Sequence, residues 1–227
     1  MTRRIDNPVP VDTEQFATVE DGVAAVRDEQ LIRSYEAVVK RLDAANALRT
    51  DRLNLFLQAS VSRARGLHEG IADAVAASNP HAAVPLLRAF AETVAAVLYV
   101  TENPHTVSAW MFSEQEQRAR NGPTRPTTGK LVDWMLTSGN ADQFDAVYAE
   151  MCDVTHYGST AWALPFNITD DVDEDTVTLT WSSAPHWKDD RQATIVCGWV
   201  LEIAAAMESA LSNLGLVCLK LARVTAG

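Results

Sequence analysis

Basic residues are scarce: nineteen Lys and Arg face thirty Asp and Glu, leaving a formal net charge of −11 across 227 residues. That deficit argues against nonspecific attraction to nucleic acid or to an anionic membrane, although a local basic patch stays open. Cysteine is scarcer still. Cys152, Cys197 and Cys218 are odd in number and form no Cys-x-x-Cys pair, which argues against a disulfide framework or a paired-thiol motif. Each falls in a helical pattern and reads as a small buried hydrophobe in a reducing compartment. No Gly-x-Gly-x-x-Gly, Walker loop, His-Glu-x-x-His or Gly-x-Ser-x-Gly occurs, so the nucleotide-binding and hydrolase classes lose their usual markers. Met1-Thr-Arg-Arg is followed by no apolar run of the kind a secretory leader needs. Segments 82–100 and 195–219 are long enough to mimic a membrane span, but Arg88 and Glu92 interrupt the first, and Glu202 and Glu208 the second. Charges at that depth are costly. The expectation is two core helices of a cytoplasmic protein with no membrane partner.

An apolar fraction of 47% with no low-complexity tract supplies a core that needs no metal or disulfide staple. Residues 1–14, with Pro8 and Pro10, read as a flexible arm, and 15–227 as a single α-helical domain. Helical periodicity runs over 15–47 with a break near Asp21-Gly22. It runs again over 51–78, where Asp51 is the expected N-cap and Leu53, Leu57, Ser60, Ala64, Leu67 and Ile71 form the apolar stripe. Asn79-Pro80 starts a helix over 80–102 that closes at Asn103-Pro104, and a shorter one follows over 105–120. After the loop Asn121–Gly129 come helices over 130–137 and 140–157, the latter ending at Gly158. The period changes at 165–182, where Val177, Leu179 and Trp181 alternate with threonines, predicting a small β-hairpin. A long helix over 188–223 closes the chain. The fold class is mainly α, a helical bundle with the hairpin inserted before its last helix.

The helix over 80–102 carries the clearest chemistry. At about 100° per residue, His81, Arg88, Glu92 and Tyr99 fall within roughly 40° of one another, while Leu87, Phe90, Ala91, Val94, Val97 and Leu98 cover the other sides. A helix apolar over most of its girth is buried, so a narrow polar stripe on it faces a pocket, a paired charge or a strip of solvent. A plain Arg88–Glu92 ion pair at i, i+4 is the competing structural account. Further on, Tyr148-Ala-Glu-Met-Cys152-Asp-Val-Thr-His156 puts His156 in the last helical turn, sharing a face with Cys152. With no second His or Cys pair at ligand spacing, no metal site is expected there. The acidic run 170–175 lacks the glycine and terminal glutamate of a calcium loop and reads as a solvated hairpin tip. The tryptophans do not alternate with basic residues as a single-strand binding platform would. Arg63-Ala-Arg-Gly-Leu-His68 has an Arg-x4-His spacing, but its two ends flank the apolar stripe on opposite sides.

Leu87-Arg88-x-x-x-Glu92 ahead of Leu98-Tyr99, followed by Tyr148…His156, resembles a bacterial helical family of unknown function. Members of that family have a Leu-Arg-x-x-x-Glu helix, a Tyr-rich helix ending in histidine, a short irregular or β segment and a closing helix. The resemblance spans roughly 60–220 and implies a mainly helical fold, with Arg88, Glu92 and His156 as the positions to watch. The Arg63…His68 spacing resembles that of HEPN ribonucleases, with Ala64 where those enzymes carry a polar residue. Two readings follow. One is a helical binding, effector or assembly domain, in a bacterial stress or defence setting, with a pocket at Arg88, Glu92, His156 and Tyr99. There arginine would clamp a small anionic ligand. The other is a metal-independent HEPN-like nuclease with histidine as acid–base. The first ranks higher. No cofactor is expected, nucleic acid is disfavoured by charge, and the apolar 195–219 helix is the expected route to a homo-oligomer.

Overall fold

The computed structural model describes residues 16–112, 114–119, 122–137, 144–156, 158, 164–173 and 176–224. The expected arm at 1–14 lies outside them. The protein is mainly α-helical. Its longer helices begin where a short polar side chain can satisfy an orphan backbone N–H. Thr18 caps α1 (Val19–Val26) through the N–H of Asp21, and Asp28 caps α2 (Glu29–Ala44) through that of Gln30. Asp51 takes the N–H of Asn54 at the head of α3 (Arg52–Ala76), and Asn79 that of Ala82 at the head of α4 (Pro80–Glu102). Pro80 fills the first helical position of α4, where its missing donor costs nothing.

The break expected at Asp21-Gly22 falls instead at Arg27–Asp28, where the Asp28 cap restarts the chain. Gly22 is inside α1, and a Cβ placed there would come within 3.1 Å of the Cys197 side chain. That glycine serves close helix packing and does not punctuate the backbone. The helix expected over 105–120 is also divided. A 3₁₀ turn at Pro104–Thr106 is followed by α5 (Ser108–Met111) and α6 (Glu114–Ala119), with Phe112 extended between them. Next come α7 (Thr128–Thr137) and α8 (Phe144–Thr155). Strands β1 (Phe166–Asp173) and β2 (Thr176–Trp181) pair antiparallel, Phe166 opposite Trp181 and Ile168 opposite Leu179, with irregularities after Ile168 and Asp171. The two residues joining them, 174–175, lie outside the described set. The Lys188 ammonium donates to the Phe166 carbonyl, tying β1 to the head of α9 (Asp190–Val224), which Asp189 caps through the N–H of Gln192.

One hydrophobic cluster draws on α1, α2, α3, α4, α7, α8 and α9. Helix α4 sits centrally, packed by α3, α9, α8 and α7, and buries Leu87, Phe90, Val94, Val97 and Leu98. Helix α9 lies against α1, α2, α3 and α4. It approaches α2 so closely that a Cβ on Gly215 would stand 2.3 Å from Val38 Cγ2. Both α4 and α9 are long and apolar enough to cross a membrane, yet 67% and 56% of their most apolar windows are covered by the rest of the chain.

A polar node lies inside this core. His68 is fully buried, its Nε2 2.6 Å from the Val26 carbonyl and its Nδ1 2.8 Å from the Tyr35 hydroxyl. A carbonyl only accepts, so Nε2 carries the proton and Nδ1 accepts from Tyr35. The node joins the end of α1 to α2 and α3. Burial holds the His68 ring below its ordinary basicity and pushes the Tyr35 phenol well above its own.

Candidate functional site

The polar stripe of α4 meets α8. Arg88 and Glu92 are one turn apart, and Arg88 Nε donates to Glu92 Oε1 at 2.8 Å. From α8, the Tyr148 hydroxyl donates to the same Oε1 at 2.9 Å, and the Arg88 guanidinium lies over the Tyr148 ring, 5.4 Å from its centroid. Arg88 Nη1 stands 2.5 Å from Nε2 of His156. The Arg88 and Glu92 side chains keep 15% and 27% of their accessible surface, whereas His156 is exposed. The cluster therefore runs from a mostly covered ion pair to a histidine at the rim.

Each contact has a direction that chemistry imposes. A guanidinium has five N–H donors and no acceptor, so His156 Nε2 is the acceptor and its ring is neutral, with the proton on Nδ1. His156 follows the last residue of α8, and its own N–H closes onto the Cys152 carbonyl. Gly158 then donates to the Asp153 carbonyl at 2.7 Å, and a Cβ there would stand 1.8 Å from Asp153 Oδ1. Close approach therefore makes this a glycine position, and the tight exit from α8 holds His156 beside α4. Burial weakens the Arg88 cation, but its hydrogen bonds with Tyr148 and Glu92 outweigh that and leave it more basic than usual. The Tyr148 phenol is pushed up to about 12 by burial, then by its bond to the Glu92 carboxylate, against the opposing pull of Arg88.

Of the sequence-predicted residues, Arg88, Glu92 and His156 come together and Tyr99 does not. Tyr99 packs edge-on against Trp134, ring centroids 5.4 Å apart. It shares a helical azimuth with Glu92 but lies seven residues on, about 10 Å along the axis, and so faces α7 where Glu92 faces α8. His81 is exposed at the head of α4, a similar distance below Arg88. Tyr148 is the residue the sequence reading left out. The signal was there in the four-residue steps Tyr148, Cys152, His156, which stripe one side of α8. Arg63 and His68 part company: Arg63 Nε donates to Thr93 Oγ1 at 3.1 Å from an exposed position, while His68 is sealed in the core. Among the described residues no group of three or more His, Cys, Asp or Glu side chains is arranged to hold a metal. Compared with protein-family models, curated proteins and solved structures, the chain matches none.

Proposed function

We propose that this chain is a soluble, cytoplasmic helical binding or effector domain in which Arg88 receives a small anionic ligand at the α4–α8 rim. The supporting observation is the Arg88–His156 contact. A mostly covered guanidinium spends one of its outward donors on a neutral, exposed imidazole nitrogen. A carboxylate or phosphate oxygen is a stronger acceptor, because a charge-assisted hydrogen bond is roughly twice as strong as a neutral one. Glu92, held by Arg88 and Tyr148, fixes the guanidinium so that Nη1 points outward, and His156 keeps the ligand's place. On this reading β1 and β2 form a hairpin ahead of α9, its base closed by the Ser182 N–H on the Pro165 carbonyl.

The test is isothermal titration of the purified protein with sulfate, phosphate and short carboxylates, wild type against Arg88→Ala. Saturable binding that Arg88→Ala abolishes supports the site. An identical response in both proteins rejects it. A nuclease would need an accessible histidine, and His156 meets that need where His68 does not, but a chain of −11 charge repels a polyanion. An assembly role has its own observation. A largely apolar groove of about 190 Å³ lies between α2 and α9, lined by Val38, Leu42, Gly215, Leu216 and Leu219 together with Arg41 and Ser212, and Leu216 and Leu221 are exposed. Sedimentation across a range of concentrations tests that reading, and a constant monomer mass would reject it.

A further inference from the structure

We infer that the Arg88 site takes up its anion together with a proton, His156 leaving Arg88 as an imidazolium and becoming the second cationic donor to an oxyanion. The inference rests on the anion-binding reading above and specifies how that site is gated. In the structure His156 Nε2 accepts from Arg88 Nη1 at 2.5 Å. An imidazolium has no lone pair, so once protonated the ring cannot keep this contact and is repelled by the guanidinium. Its side chain is exposed, so the ring can swing away from Arg88 while the His156 N–H stays on the Cys152 carbonyl. The helix C-terminus at which it sits favours positive charge. Release frees Arg88 Nη1 and adds an N–H cation beside it.

The groups around His156 let the charge change reach a ligand. From α4 come Arg88 and Glu92, and on α8 itself are Tyr148, Cys152 and Asp153. Tyr148 is a neutral phenol, and the Asp153 carboxylate lies against Gly158 beyond the helix end. With the ring neutral, Arg88 and Glu92 cancel. With the ring protonated, the Arg88–Glu92–His156 group carries one net positive charge. An oxyanion with two or more oxygens, phosphate-like or carboxylate, can then bridge Arg88 Nη1 and the imidazolium, while Glu92 stays bound to Arg88 Nε and Tyr148. Linkage is reciprocal: a proton that strengthens anion binding is itself bound more tightly when the anion is present.

Sulfate is the probe, because it does not titrate between pH 5 and 8. Its binding to the full chain is measured calorimetrically at several pH values in that range, in paired buffers of different ionisation enthalpy, with circular dichroism confirming that the protein stays folded. The wild type is expected to bind more tightly at the acid end, by at most about tenfold per pH unit, and to take up protons with sulfate, at most one per sulfate. His156→Gln keeps a neutral acceptor for Arg88 but cannot titrate, and should bind with little pH dependence. Sulfate binding with no proton uptake, or with the same pH slope in His156→Gln, overturns the inference while leaving the anion site standing. No sulfate binding at any pH overturns both. Absence of proton uptake by the wild type rejects the inference even if His156→Gln folds poorly, and His156→Ala then serves as the second variant for assigning any uptake.

Discussion

Truncating Arg88 to alanine should cost far more than losing a surface charge. The variant deletes a charge-assisted bond to Glu92, worth about 1.5–3 kcal/mol where it is covered. It also removes the guanidinium over Tyr148, about 0.5–1 kcal/mol at a partly exposed ring. The bond to exposed His156 adds at most about 0.5 kcal/mol. Water reaching Glu92, which keeps 27% of its side-chain surface, offsets part of the loss. The net expectation is about 2–3 kcal/mol, a fall in Tm of about 5–10 °C for a chain of this size. Glu92→Gln keeps the shape and a weaker acceptor for Tyr148 and should cost about 1–2 kcal/mol. The double variant isolates the pair, and a coupling energy of about 1–2 kcal/mol is expected. Urea unfolding at pH 7.5, followed by far-ultraviolet circular dichroism, measures all four proteins. The reasoning is refuted if Arg88→Ala stays within about 0.5 kcal/mol of wild type with no coupling, the behaviour of an exposed ion pair.

Other regions make independent predictions. Gly215→Ala puts a methyl 2.3 Å from Val38 Cγ2 and should destabilise by about 1–3 kcal/mol, with Val38→Ala restoring much of it in the double variant; an unchanged urea midpoint would show that α2 and α9 pack less tightly. Burial keeps His68 neutral when folded, so the unfolded chain binds a proton the native state does not, and stability should fall as pH drops below about 6.5, by up to about 1.4 kcal/mol per unit. His68→Gln, less stable throughout, should show a shallower decline between pH 7.5 and 5.5; an equal slope would refute the assignment. Burial pushes the Cys197 and Cys218 thiols up to about 11 and about 12. In native protein at pH 8 an aromatic disulfide reagent should therefore titrate only half-buried Cys152, and rapid release of three equivalents without denaturant would contradict that.

Helix boundaries were legible where the signal is local. Asp51 and Asn79-Pro80 mark helix starts through side chains that cap the next few residues, and the structure uses both as read. The break near Gly22 was misplaced because that glycine answers to Cys197 on α9, a partner no local window includes. The site was half legible for a similar reason. Arg88 and Glu92 at i, i+4 are paired by helix geometry alone, whereas their meeting with His156 needs α8 to pack on α4. Tyr99 was misassigned because a helical wheel records azimuth and discards height. The role of Tyr148 comes from reaching the Glu92 carboxylate on another helix, a contact that no pattern within α8 reveals. The Arg63…His68 spacing matched a pattern, but whether a histidine is open to a substrate or enclosed by Tyr35 and Val26 is decided by the core around it.

Because α9 lies against α1, α2, α3 and α4 at once, each of those helices keeps part of its apolar face uncovered until α9 has been made. A ribosome adding about 5–20 residues per second spends about 6–24 s between finishing α4 and finishing α9. Throughout that interval the side of α4 that packs on α9 lacks its native covering. The chain's folding rate is set by long-range closure more than by helix formation. A circular permutant that begins with α9 would shorten that exposure while keeping the packing of α9 on α1, α2, α3 and α4.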